Sequence, residues 1–193
     1  MNPAAVDGIS FAVHPDNMIE TERLFFRPLT AEDLPWLIEM RSPEPVNRYL
    51  GGTRMQNPER LAERLKFYIG CYEKFGFGNC AMGLRSTGEL IGTSGLQPLE
   101  NTGEIEVGYN LSEQYWRHGY GFECAFGWLK HGFLNCGLER IVAVSYPENV
   151  ASWKIMEKCG MSYEKNESHY GIDCVFYGIS RTDFIRKWSL ESE

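Results

Sequence analysis

Along Glu104-Ile105-Glu106-Val107-Gly108-Tyr109-Asn110-Leu111, residues 105, 107, 109 and 111 are apolar, while 104, 106 and 110 are polar. A period of two predicts a strand with one buried face. The period then lengthens. Phe122, Ala125, Phe126, Leu129 and Phe133 recur at helical spacing, with Gly137 as the stop signal. Ile141-Val142-Ala143-Val144 reads as a short buried strand. A second helix starts within residues 146–153 and ends before Gly160, and Met161-Ser162-Tyr163 returns to extended chain.

Upstream, Leu24-Phe25-Phe26-Arg27-Pro28-Leu29 predicts a first strand, and Thr30 with Asp33 predicts the cap of a helix running through Arg41. Ser42-Pro43-Glu44-Pro45 reads as a break. Between Asn57 and Lys74, Leu61, Leu65, Tyr68, Ile69 and Tyr72 form a helical stripe. Strands over 79–85 and 90–96 are joined by a hairpin turn, Ser86-Thr87-Gly88-Glu89. Residues 174–180 predict a last strand, followed by a short helix from about Arg181. Segments 42–58 and 166–173 read as loops. The resulting order, β-α-α-β-β-β-α-β-α-β-β, predicts an α+β fold with a mixed central sheet of about seven strands and helices on both faces. Residues 1–17, with Pro3, Gly8 and Pro15 and little periodicity, read as a flexible arm. The domain is expected over 18–187 and a tail over 188–193.

At 193 residues the chain is long enough for one domain with a substantial core, and 43% hydrophobic and 13% aromatic content is that of a folded protein. No apolar run approaches the roughly 18 residues of a membrane span. The first residues lack a basic stretch followed by an apolar one, so no signal peptide is expected and the cytoplasm is the expected compartment. A net charge of −7 argues against general nucleic-acid binding and suits a cationic amine partner, although solubility explains it equally well. The six cysteines form no Cys-x-x-Cys pair and lie mostly in apolar segments, which predicts buried free thiols rather than disulfides. Histidines 14, 118, 131 and 169 show no metal-ligand spacing, so no metal is expected.

Candidate chemistry starts where the first strand of this central segment hands over to its helix, at Tyr115-Trp116-Arg117-His118-Gly119-Tyr120-Gly121-Phe122. The first turn of a helix carries unpaired N–H groups and the positive end of the dipole, which suits a phosphate. Glycine there permits positive φ and close approach, so a β-branched residue at Gly119 or Gly121 is expected to obstruct an anion. A plain turn uses the same Gly-x-Gly pattern. A dinucleotide-binding reading requires an acidic residue at the end of the next strand. Glu139 has the right distance but precedes that strand, so this reading fails.

Trp116-Arg117-His118-Gly119-Tyr120-Gly121 resembles the cofactor loop Gln/Arg-x-x-Gly-x-Gly/Ala of the GNAT superfamily of acetyl-CoA-dependent N-acyltransferases. Tryptophan in the first position departs from that pattern. The Tyr115-Trp116 pair, Glu106-Val107-Gly108-Tyr109, and Asn149-x-x-Ser152 followed by Glu157-Lys158-Cys159-Gly160-Met161 are similar to the ribosomal-protein-alanine N-acetyltransferase (RimJ/RimL-type) branch. The resemblance spans about 19–184 in organisation and is specific over about 104–161. It implies a single-domain GNAT fold, acetyl-CoA (coenzyme A) as cofactor and a primary amine as acceptor, either a protein N-terminus or a small molecule. It is compatible with a monomer or a homodimer.

Acyl transfer to an amine needs a deprotonated amine, a donor for the oxyanion and a proton for the departing thiolate. The resemblance implies Glu106 as base, through a water, with Glu104 on the same strand face as rival. It implies Ser152 as proton donor, because position 156, where many GNAT enzymes carry tyrosine, is Met. Arg117, His118, Gly119, Tyr120, Gly121 and Phe122 would hold the pyrophosphate. The backbone of Tyr109, Asn110 and Leu111 would hold the pantetheine arm or thioester carbonyl, and Asn149 the pantetheine amides. The plainer alternatives are a solvated carboxylate at Glu106, a helix cap at Asn149 and a surface serine at 152. At the level of the whole chain, the alternative is a catalytically weak acyl-CoA-binding or sensor module.

Overall fold

The computed structural model describes residues 19–52, 57–100 and 102–190. The predicted arm over 1–17 and the last residues of the tail lie outside the described residues. Seven strands form one sheet in the order β1-β2-β3-β4-β5-β7-β6. β1 (Leu24–Pro28), β2 (Asn79–Leu84), β3 (Leu90–Pro98) and β4 (Ile105–Leu111) are antiparallel neighbours. β5 (Arg140–Ser145) lies parallel to β4, and β7 (Ile172–Ser180) and β6 (Ser162–His169) complete an antiparallel second half.

The helices α1 (Leu34–Arg41), α2 (Glu44–Asn47), α3 (Pro58–Phe75), α4 (Tyr120–Leu134), α5 (Val150–Cys159) and α6 (Arg181–Trp188) cover both faces. Successive side chains of a strand point to opposite faces. On β2, Cys80 and Met82 therefore join the core with Phe26, Leu96, Leu129, Phe133 and Phe184, while Ala81 joins Leu37, Met40, Leu61 and Leu65 under α1 and α3. The α+β architecture agrees with the element order read from the sequence.

One feature of the sheet positions the site. β3 and β4 pair along their whole length, from Gly92↔Leu111 to Pro98↔Ile105, but β4 and β5 share a single register pair, Glu106↔Val142. Beyond Glu106 the two strands part, so β4 from Val107 to Leu111 has no ladder partner on its β5 side. Backbone groups left this way suit an extended guest chain.

Two expectations, and one of the plainer alternatives, need correction. Residues 44–47 form a turn of helix rather than a break: Pro43 precedes it with φ −60°, and Pro45 lies in the first turn, where a missing N–H costs nothing. Residues 166–173 are not a loop, since β6 runs to His169 and β7 resumes at Ile172 around the turn Tyr170-Gly171. That strand escapes a periodicity test because Ser162–His169 is almost wholly polar, as befits an exposed edge. The polar face of β4 is not solvated at Glu106, which is only 5% exposed. A central strand covered on both faces buries both sets of side chains.

The six cysteines are free, and five of them are buried. Burial pushes their thiols up to about 11 or 12. No helix among the described residues is long and apolar enough to cross a membrane.

Candidate active site

At the end of β4 the Trp116 indole N–H donates to the Leu111 carbonyl at 2.8 Å, tying the loop back to the strand. This is what tryptophan does in the loop's departing first position, and it leaves the Leu111 carbonyl already engaged. Arg117 adopts φ +65° and Gly119, the residue before α4, φ +84°. The first backbone bond into α4 runs from Glu123 N–H to the Gly119 carbonyl at 3.1 Å, so the N–H groups of Tyr120, Gly121 and Phe122 precede the ladder. The His118 and Tyr120 rings stack at 5.9 Å.

Arg23, the residue before β1, braces this loop. Its Nη1 donates to the His118 carbonyl at 3.0 Å, its Cζ lies 4.5 Å over the Tyr120 ring, and its Nε donates to Glu123 Oε2 at 2.6 Å. Glu123 is partly buried, which disfavours its charge, yet hydrogen bonds from Thr21 and Arg23 hold its carboxyl below the ordinary range. A carboxylate in the first turn would repel a phosphate there. Arg23 offsets that charge.

The two glycines of the loop differ in purpose. At Gly119 a side chain would be strained by the positive φ. At Gly121 an added Cβ would stand 2.7 Å from Ile155 Cδ1, so this glycine permits α4 to pack against α5. Gly119→Val is therefore expected to raise the acetyl-CoA Kd about tenfold or more, about 1.4 kcal/mol. Gly121→Val is expected to act first through a lowered melting temperature. Calorimetric titration and thermal melts of both variants check this pair of outcomes.

Glu106 sits at the point where β4 and β5 still pair. Gln97 Nε2 donates to its Oε1 at 2.5 Å, and the Tyr170 hydroxyl donates to the same oxygen from the β6–β7 turn. Among the described residues nothing donates to Oε2. Burial raises the Glu106 pKa above the ordinary carboxylate range, opposed by the Tyr170 and Gln97 hydrogen bonds and by the charges of Arg64 and His169. The tip that carries Tyr170 is itself anchored. Its N–H donates to Glu100 Oε1 at 3.0 Å, and His169 lies between Glu100 and Glu167, at 2.9 and 2.8 Å. The rival Glu104 is engaged otherwise, accepting from Arg140 Nε at 3.1 Å on the sheet's far side of Glu106 from the opening.

Across the opening, at the start of α5, the Tyr109 hydroxyl donates to the Ser152 carbonyl at 2.9 Å and lies 3.3 Å from Ser152 Oγ. Burial pushes the Tyr109 phenol well up, so it stays protonated. Asn149 precedes α5 with φ −80°, ψ 64°, and its side chain makes no cap hydrogen bond, which leaves its amide available. Met156 is buried. Asn110 is less free: its Nδ2 donates to Thr93 Oγ1 at 2.6 Å. The geometry thus brings Tyr109, Ser152 and Asn149 to one side of the parted strands, with the 117–122 loop at the end of β4.

Residues 23–162 match the acetyltransferase (GNAT) domain family. The chain belongs to that family. GNAT enzymes are acyltransferases whose donor is acetyl-CoA. The uncharacterized N-acetyltransferase YoaA of Bacillus subtilis (strain 168) is 30% identical over 148 residues, 76% of this chain and 84% of its own. A GNAT-family acetyltransferase of Bacillus anthracis superposes with TM-score 0.71 at 27% identity, covering 86% of this chain and 99% of its own. RimL, a ribosomal L7/L12 alpha-N-protein acetyltransferase in complex with coenzyme A, superposes with TM-score 0.71, covering 85% of this chain and 98% of its own; at 16% identity it carries the fold alone.

Sequence reasoning missed Tyr170, Gln97 and Arg64 around Glu106. Tyr170 lay in a segment read as a loop. Gln97 was legible in principle: it faces Glu106 across the β3–β4 ladder, in the register the hairpin sets.

Proposed function

We propose that this GNAT protein transfers an acetyl group from acetyl-CoA directly to a primary amine, a protein N-terminus or a small molecule. The observation that carries the reading is the buried Glu106 carboxylate, held among the described residues through Oε1 alone, at the mouth of the β4–β5 opening. The residues fit the donor. The free N–H groups of Tyr120, Gly121 and Phe122, with Arg117, His118 and Gly119, would hold the pyrophosphate. The unpaired edge of β4 around Tyr109 and Asn110 and the uncapped Asn149 amide would hold the pantetheine arm; the Leu111 carbonyl is already committed to Trp116.

The bound donor supplies an activated acetyl group and a sulfur leaving group. Glu106 Oε2 accepts the amine proton, directly or through one water, while Gln97 and Tyr170 fix the carboxylate through Oε1. Ser152 Oγ would supply a proton to the sulfur leaving group, and Tyr109 holds the serine in place through its carbonyl and hydroxyl. The free thiols suit a reducing, cytoplasmic compartment.

Titration of acetyl-CoA into the protein, paired with mass spectrometry of an amine panel after incubation, tests this function. Saturable binding with acetylated amine supports it. Binding without any acetylated product would instead make the chain an acyl-CoA-binding module.

A further inference from the structure

Behind Tyr170 lies a cluster that acetyl transfer alone does not require. Arg64, on α3, donates from Nε to the Tyr68 hydroxyl oxygen at 3.1 Å, and Arg41, at the end of α1, reaches the same oxygen from Nη2 at 3.5 Å. Arg41 is only 9% exposed, and among the described residues its Nε has no hydrogen-bond partner. Among the described residues neither arginine forms an ion pair with a carboxylate. The phenol oxygen receives two hydrogen bonds, and its own proton finds no acceptor among the described residues. Two guanidiniums and one hydroxyl thus converge with donors to spare. Buried donors without acceptors, and like charges held close together, are costly.

The cluster is continuous with the candidate base. The Arg64 guanidinium lies 5.2 Å over the Tyr170 ring, and the Tyr170 hydroxyl donates to Glu106. An opening of about 410 Å³, lined by Arg60, Glu63, Arg64 and Phe67, borders Arg64 from the solvent side. We propose that Arg41, Arg64 and Tyr68 form an acceptor subsite for a carboxylate, so that the amine substrate carries a carboxylate close to its amino group. Two sources share this chemistry: a free amino acid, and a peptide N-terminus followed closely by an acidic residue. The electrostatics agree. Burial pushes the Tyr68 phenol up, but the charges of Arg64 and Arg41 outweigh it and bring the phenol down to about 8. Guanidinium is the side chain best matched to a carboxylate fork.

The inference rests on the acetyltransferase reading for the amine's role, but the subsite has its own readout. The standard amino acids and their amides are titrated calorimetrically into the CoA-loaded protein and assayed for thiol release from acetyl-CoA. Peptide amides beginning Ala-Glu and Ala-Gln form the second arm. Carboxylate-bearing members of one arm are expected to exceed their neutral partners by about tenfold or more in affinity and in kcat/KM. Arg64→Gln is expected to bring that ratio to within about twofold by raising KM for the acids only, and Arg64→Lys to restore part of it. Equal behaviour of acids and neutral partners in both arms, including no binding of either, overturns the subsite. An Arg64→Gln variant that loses acids and neutral amines alike also overturns it, and if that variant fails to fold the wild-type comparison decides. Preferential binding of acids with no thiol release upholds the subsite and refutes acetyl transfer; thiol release without preference does the reverse.

Discussion

Replacing Glu106 with glutamine is expected to lower kcat/KM roughly a hundredfold while leaving the acetyl-CoA Kd unchanged. Glutamine keeps the shape and keeps an oxygen for Gln97 and Tyr170, but its neutral amide is far too weak a base to accept the amine proton. The base works deprotonated, and burial raises its pKa. Wild-type kcat/KM should therefore rise with pH through an inflection above the ordinary carboxylate value of about 4.3, and the variant should lack that inflection. Stability gives an independent check of sign. A carboxyl whose folded pKa is raised binds its proton more tightly in the native state, so its ionisation costs stability as pH climbs through the unfolded and then the folded value. At neutral pH Glu106→Gln should melt no lower than wild type. A fully active variant would pass the role to another group, Glu104 first, although that side chain is held by Arg140.

Ser152→Ala is expected to lower kcat by about tenfold to a hundredfold, with little change in acetyl-CoA affinity. The structure makes this substitution clean. Tyr109 keeps its 2.9 Å bond to the Ser152 carbonyl when Oγ is lost, so the start of α5 retains its anchor. The loss is bounded because an ordinary thiol has a pKa of about 8.5 and its thiolate leaves without much help. Met156 cannot donate a proton. Measurement of kcat at saturating donor, beside a thermal melt, decides the matter. A loss below about twofold would point to Tyr109, whose hydroxyl lies 3.3 Å from Ser152 Oγ, and Tyr109→Phe would then be the next variant.

The frame of the site was legible because the chain announces it locally. The change of period between β4 and α4, and the glycines between them, can be read from adjacent residues. What escaped depends on contacts far apart in sequence. Tyr170 is 64 residues from Glu106, on a hairpin whose first strand is too polar to show a hydrophobic period. The alternation on β4 left a solvated Glu106 open as the plainer alternative, which fails because this strand is covered on both faces at that residue. Asn149 has the sequence position of a cap but a backbone whose side chain does not cap, which only dihedral angles reveal. The proline pair at 43 and 45 initiates a helical turn because each falls where a helix needs no N–H.

The central claim is that this chain moves an acetyl group from acetyl-CoA to an amine. Its most direct test is the rate of thiol release from acetyl-CoA by the wild-type protein, followed with and without each member of an amine and N-terminal-peptide panel. The account predicts release that depends on the acceptor, saturates with it and falls roughly a hundredfold in Glu106→Gln. Release that is the same with and without every amine, in a protein that binds acetyl-CoA, would contradict it.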